Sequence, residues 1–253
     1  MRLRIIGQST QEIEDTFAAL ERRATGIKGA HLRRSQKDLV DVVLPPDADF
    51  DLAAAKLTLS ARLLFVLVDD VARPFENGPL PAGVRRVEER YFVAPTRNAV
   101  AEVFLTFPLE SVSVVRAFAD STHALVAFGP WGSPSAKVGE LRTYVVESNP
   151  ILTESDVVDA EVTPTSASLA AVLIQLSPQG ARSLSEMTSK NVGRRLAIIV
   201  NNIVVAAPVI HEALPGPSVQ ISIGGGPIDA PTLVELLSAG PLPASVQVED
   251  PGR

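Results

Sequence analysis

The chain has 253 residues, of which 46% are apolar, with no cysteine and a net charge of −6 at pH 7. That length can bury one large core or two modest ones, and the missing cysteines exclude disulfides and thiolate metal sites. The acidic balance, with Lys and Arg interspersed among acids, excludes a phosphate-reading nucleic-acid surface. The longest basic groupings, Arg33-Arg34, Arg85-Arg86 and Arg194-Arg195, read as solvated strand ends. No stretch reaches the roughly 20 apolar residues of a spanning helix. The N-terminus MRLRIIGQSTQEIEDTF lacks the apolar region and cleavage site of a secretory signal. The expectation is a soluble, cytoplasmic chain.

Leu3 to Ile6 predict a first strand, and Ser9 with Glu12 a capping box heading a helix. Ile13, Phe17, Leu20 and Ala24 give that helix one apolar stripe, and Gly26 is expected at its left-handed C-terminal position. Ala30 to Arg34 and Leu39 to Leu44 predict two strands, Asp51 to Leu59 a helix, and Ala61 to Val68 a strand apolar on both faces. The order βαββαβ is the ferredoxin-like pattern.

Residues 73–83, RPFENGPLPAG, mark a boundary by their prolines and glycines. Between them and Asn149-Pro150 the pattern predicts a strand at Val84 to Val93, helices at Asn98 to Phe107 and Ser111 to Phe118, and strands at Ala124 to Phe128 and Leu141 to Val146. This reads as an inserted α/β subdomain. Thr153 and Asp156 then make a second capping box, and Glu161-Val162 begins a return to a sheet.

The C-terminal part begins with a strand at Ala167 to Leu176. Ser177 caps a helix that has Pro178 at its first position and ends at Gly193. Leu196 to Val200 and Ile203 to Ala207 form a hairpin, because Asn201-Asn202 between them tolerates the positive φ of a tight turn. A strand at Val219 to Ile223, a Gly224-Gly225-Gly226 turn, a helix after Asp229 and a strand at Ser245 to Val248 complete the chain. The succession of elements resembles that of the N-terminal part, as an internal duplication would.

Catalytic and metal chemistry find no constellation. His31, His123 and His211 are scattered, and no serine has the Gly-x-Ser-x-Gly setting. Asp69-Asp70 end a strand and could meet a cation, but neighbouring strand residues point to opposite faces. Gly224-Gly225-Gly226 lacks the spacing of a phosphate loop. No cofactor or metal is expected. Trp131, in the Gly/Pro loop Gly129 to Pro134 with Pro130 and preceded by Phe128, is the partner-binding candidate, either as an exposed anchor or as a lid folded back onto the inserted subdomain.

Asn191-Val192-Gly193-Arg194-Arg195-Leu196-Ala197-Ile198 resembles a signature of the SecD family, the membrane subunit of bacterial protein-translocation machinery. Ala206-Ala207-Pro208-Val209-Ile210, Val219-Gln220-Ile221, Leu236 to Ala244 and the run from Pro150 to Ala160 are similar to its following segments. The resemblance is to the first periplasmic domain. It implies a base built from two flanking segments, an inserted head, capture or guidance of emerging polypeptide, and a periplasmic location as the alternative to a cytoplasmic one. Without membrane helices the implied form is a stand-alone version, not an energised translocase.

The reading is an α+β protein with a discontinuous ferredoxin-like base of βαββαβ type, residues 1–72 and 151–253, and an inserted α/β head subdomain, residues 73–150. Its expected role is a non-enzymatic module binding a polypeptide or protein partner, accessory to a secretion or membrane complex. The alternatives are a structural subunit, or an enzyme or small-molecule binder using the head–base cleft. Asn191, Gly193, Arg195, Asn201, Asn202 and Pro208 are assigned to scaffolding.

Overall fold

The computed structural model describes residues 1–60, 62–93, 98–132, 139–164, 170–223 and 229–250. In chain order the elements are β1 (Arg2–Ile6), α1 (Thr10–Thr25), β2 (His31–Arg34), β3 (Leu39–Val43), α2 (Phe50–Thr58), β4 (Leu63–Leu67), β5 (Arg85–Val93), β6 (Asn98–Pro108) and α3 (Val112–Asp120). Then follow β7 (Val126–Pro130), β8 (Glu140–Val145), β9 (Leu152–Thr153), β10 (Val157–Pro164), β11 (Ala170–Leu176), α4 (Pro178–Lys190), β12 (Leu196–Val200), β13 (Ile203–Ala206), β14 (Ser218–Ile223), α5 (Ala230–Ala239) and β15 (Ser245–Asp250). The protein is a mixed α+β structure with several sheets. It divides into two compact units, Met1–Ala61 with Ala230–Arg253, and Arg62–Asp229. The boundaries read from sequence at 72 and 150 both fall inside the second.

The first unit is an antiparallel sheet of order β15-β1-β3-β2. Alternation along β1 buries Leu3 and Ile5 against Val40, Val42, Leu20, Leu57 and Val246. Arg2 and Arg4 lie on the wet face, where they pair with Asp41 at 2.7 Å, Asp38 at 2.7 Å and Glu249 at 2.5 Å. The Ser9 hydroxyl accepts from the Glu12 amide at 3.1 Å, and the Glu12 carboxylate accepts from the Gln8 amide at 2.6 Å.

At the other end of α1, buried Arg23 donates to the carbonyls of Lys56, Leu59 and Gly240, which close the C-terminal ends of α2 and α5. Burial, and then the charge of Arg22, push its pKa down to about 10.

Two expectations fail in this unit. Gly26 is right-handed at φ −76°, because its amide and that of Ile27 close the helix with tight bonds to Arg23 and Ala24, and the positive φ falls instead on Gly29, at +79°. The strand beside β1 is β15, from the far end of the chain, and not the strand predicted over 61–68.

The second unit holds an eight-stranded sheet of order β5-β6-β8-β7-β13-β12-β4-β9 and a three-stranded sheet of order β10-β11-β14. β4 is paired with β12 and β9. The helix predicted over 98–107 is strand β6, paired with β5 from Arg85↔Thr106 to Val93↔Asn98. Glu102 to Phe107 are all buried, so both faces of the strand are covered and no alternation marks it; a short apolar run of this kind has no decisive period.

On one side α3 packs Val115 and Ala119 against Phe75, Leu105, Phe107 and Phe128. A separate core joins Tyr144, Ala127, Val204, Ile199, Ala197 and Val66 from five neighbouring strands. The ends of β4 and β8 meet in a single bridge, Val68↔Val146. The C-terminal part is no second copy of the N-terminal one. Its strands are shared among all three sheets.

Candidate functional site

α4 and the β12–β13 hairpin carry the scaffold residues. The Ser177 hydroxyl accepts from the Gly180 amide at 3.0 Å. At the far end, Asn191 Nδ2 donates to the Met187 carbonyl at 2.9 Å and its Oδ1 accepts from Arg194 at 3.0 Å. Gly193 has φ +93°, and its amide donates to Ile210 at 2.8 Å. The Pro208 carbonyl accepts from the Leu196 amide at 2.9 Å. Asn201 and Asn202 turn the hairpin at φ +48° and +68°, and Asn201 Oδ1 also accepts from the Arg62 amide at 3.1 Å.

A side chain at Gly193 would be held in the left-handed region. Gly193→Ala is therefore expected to cost about 1–2 kcal/mol in urea unfolding, since an L residue there is strained by that order.

Trp131 does not stand out as an exposed anchor. It is only 7% exposed, its amide donates to the Glu140 carbonyl at 3.0 Å, and its indole Nε1 donates to Glu89 Oε1 at 3.1 Å. The ring lies edge-on to Phe104 at 6.0 Å, with the Arg85 guanidinium 5.7 Å from its centre. Phe128 is also buried, edge-on to Phe107 at 5.3 Å, and Pro130 is half-buried. Phe104, Arg85, Glu89 and the Glu140 backbone surround the indole because a ring of that size gains more from packing than from water. Of the two readings open in the sequence, its position matches the one that folds back onto its own subdomain. Ser133 and Pro134 of that loop, and the Gly224-Gly225-Gly226 turn, lie outside the described residues.

The indole contact leads into a buried ion-pair network that sequence reasoning missed. Glu89 Oε2 lies 3.8 Å from Arg142 Nη1. Arg142 Nη2 reaches Glu102 Oε1 at 2.6 Å as a charge contact without an aligned hydrogen bond, while its guanidinium stacks 3.6 Å over Phe104 and 4.3 Å over Tyr144. Glu102 Oε1 also meets Arg195 Nη2 at 2.6 Å, and Arg195 in turn donates to Asp70 Oδ1 from Nε at 3.1 Å and Nη2 at 2.5 Å. Arg195 is thus no solvated strand end. It is 6% exposed, with two carboxylates neutralising it.

Of the Asp69-Asp70 pair, Asp70 meets a cation, and that cation is Arg195. Asp69 accepts from the Val71 and Ala72 amides at 3.1 and 3.0 Å, forming a turn.

Burial alone would raise the Glu102 pKa, but the hydrogen bond from Arg195 and the charges of Arg142 and Arg195 outweigh it, so the carboxyl titrates below its ordinary value. The sign follows directly. Stability from this group is complete above the unfolded glutamate range of about 4.3 and is lost as pH falls through the lower folded value. An acid titration of Trp131 emission is expected to show a transition below that range which Glu102→Gln removes.

Among the described residues no cluster of three or more His, Asp and Glu side chains could hold a metal, and no helix is long and apolar enough to cross a membrane. An open cleft of about 740 Å³ in the second unit is lined by Asp69, Arg73, His123, Leu125, Glu147 and Asn149.

These features define a class of protein: a two-unit α+β protein with several sheets. A solved structure of the membrane component SecDF that enhances protein export matches with a TM-score of 0.60 at 19% identity, covering 99% of this chain and 97% of that one, a likeness of fold. Residues 133–244 match the family model described as SecDF, P1 head subdomain. The protein translocase subunit SecD of Acidaminococcus fermentans is 31% identical over 112 residues, 44% of this chain and 27% of its own length. That of Treponema pallidum is 28% identical over 239 residues, 92% of this chain and 37% of its own length. The resemblance to the first periplasmic domain of SecD, read from residues 150–244, therefore holds. The chain spans well under half the length of these curated relatives.

Proposed function

We propose that the chain is a non-enzymatic module that binds polypeptide or a protein partner on the outer side of the cytoplasmic membrane, as part of a protein-export assembly. The observation that carries this reading is the match of residues 133–244 to the P1 head subdomain. The same likeness favours a periplasmic location over the cytoplasmic one expected from the N-terminus. Protease added to intact spheroplasts should digest the chain; protection from it would return the protein to the cytoplasm.

The strand order β15-β1-β3-β2, with α1 after the first strand and α2 after the third, supports a ferredoxin-like base. In this reading the base is the first compact unit and the head is Arg62–Asp229. Both differ from the division at 72 and 150.

Fluorescence anisotropy with a labelled globular protein, reduced and carboxymethylated so that it stays unfolded, tests binding. Saturable binding of the unfolded form and none of the same protein folded is expected. Binding of neither, with one stoichiometric partner recovered by crosslinking in cells, would make the chain a structural subunit instead.

A further inference from the structure

The eight-stranded sheet is unevenly stitched. β5 and β6 share nine paired positions, β7 and β8 five, and β12 and β4 five. In the middle of the sheet β7 and β13 share one, Ile203↔Phe128, the sheet's parallel join. The core of Ala127, Tyr144, Val204, Ile199, Ala197 and Val66 packs across both halves, but among the described residues the backbones of β5-β6-β8-β7 and β13-β12-β4-β9 meet again only where β4 and β8 end. There Val68↔Val146 is an isolated bridge, flanked by the Asp69 amide on the Val145 carbonyl at 2.9 Å and the Glu147 amide on the Leu67 carbonyl at 3.0 Å. Few backbone bonds therefore hold one half to the other.

The ion-pair network lies across this division. Asp70, just after β4, and Arg195, just before β12, belong to one half; Glu89 on β5, Glu102 on β6, Arg142 on β8 and Trp131 after β7 belong to the other. The contact that crosses is Arg195 Nη2 to Glu102 Oε1 at 2.6 Å, and both side chains are more than nine-tenths buried as residues. Arg194 adds a second crossing pair, to Glu147 at 2.5 Å, but it is partly exposed and so screened. A buried pair that links two sparsely bonded halves is where local opening is decided, since the local opening energy follows the contacts that a motion must break.

We propose that the Arg195–Glu102 pair is a latch across the β7–β13 seam, and that its release and the unpacking of Trp131 are one event. The coupling runs through shared atoms. Glu102 Oε1 is also the oxygen that Arg142 approaches, and Arg142 faces the Glu89 carboxylate on which the indole donates. When Arg195 leaves, Arg142 has Glu102 to itself, and the Glu89–Trp131 end of the network loses its balance of charge. This is independent of the partner-binding reading and concerns how the second unit moves.

Hydrogen exchange read by mass spectrometry tests the latch in Glu102→Gln and Arg195→Lys, alongside acrylamide quenching of Trp131, the single tryptophan of the chain. Amides of residues 126–129 and Ile203–Ala206 are expected to exchange on the order of tenfold faster, as a pair contact is lost, while the β5–β6 ladder and α4 keep wild-type rates and Trp131 becomes more quenchable. Leu184→Ala, a buried change in α4, should speed exchange in α4 and β11 without touching the seam. Wild-type exchange at the seam, a uniform rise across residues 62–229, or faster seam exchange with unchanged quenching would each overturn the proposal. Should both network variants fail to fold, Asp70→Asn, which leaves the Glu102 contact in place, must give a smaller rise at the same amides; no rise there would also overturn it.

Discussion

Arg195→Met should unfold at markedly lower urea, with a loss of about 3–5 kcal/mol, the cost of breaking one partner out of a buried ion pair. Arg195 is 6% exposed and serves two carboxylates, Asp70 and Glu102. Methionine fills a similar volume, so the loss is chiefly electrostatic: Asp70 keeps a buried charge with its cation removed, and Glu102 falls back on Arg142. Adding Asp70→Asn removes the orphaned charge and is expected to restore part of the stability. A solvated pair would be worth only about 0–1 kcal/mol. A loss within that range would mean that water reaches the network.

Gly129→Ala is expected to cost about 2–3 kcal/mol, at the upper end for overpacking. A Cβ built at Gly129 would lie 2.5 Å from the Val204 carbonyl oxygen, 2.9 Å from the Val204 Cβ and 3.2 Å from the Tyr144 ring. The nearest atom is backbone, so no flexible side chain can give way and β7 must move from β13. The urea midpoint checks the size of the effect. An unchanged midpoint would mean that the two strands already separate easily. Gly193→Ala removes a different freedom, conformational rather than spatial, and the two glycines should therefore add when combined.

Local chemistry was the legible part of the fold. Ser177, Pro178, Asn201 and Asn202 announce their own geometry, since caps and tight turns depend on residues a few positions apart, and the structure has the cap and turn where they stand. What the sequence could not assign was which sheet a strand joins. β4 is apolar on both faces and would suit either unit; β15 completes the first sheet only because the backbone returns there after Asp229.

The candidate site was less legible still. Arg195 was visible as part of a family-like signature, but its partners Asp70 and Glu102 are far away in the chain, and no local pattern distinguishes a buried arginine from a solvated one. Trp131 was ambiguous for a related reason. A large aromatic in a Gly/Pro loop suggests exposure, and only the acceptor Glu89, on another strand, explains how its polar nitrogen could be buried.

The pairing of β1 with β15 bears on how the protein is made. Arg2–Ile6 leave the ribosome well before Ser245–Asp250, yet the two strands are neighbours, and Arg4 pairs with Glu249. Residues 62–229 form a continuous stretch whose described strands pair among themselves, so these have their sheet partners before β15 is synthesised. Folding in order of synthesis would thus finish the second unit while β1 waits, with one edge of β1 open until Ser245–Asp250 emerge.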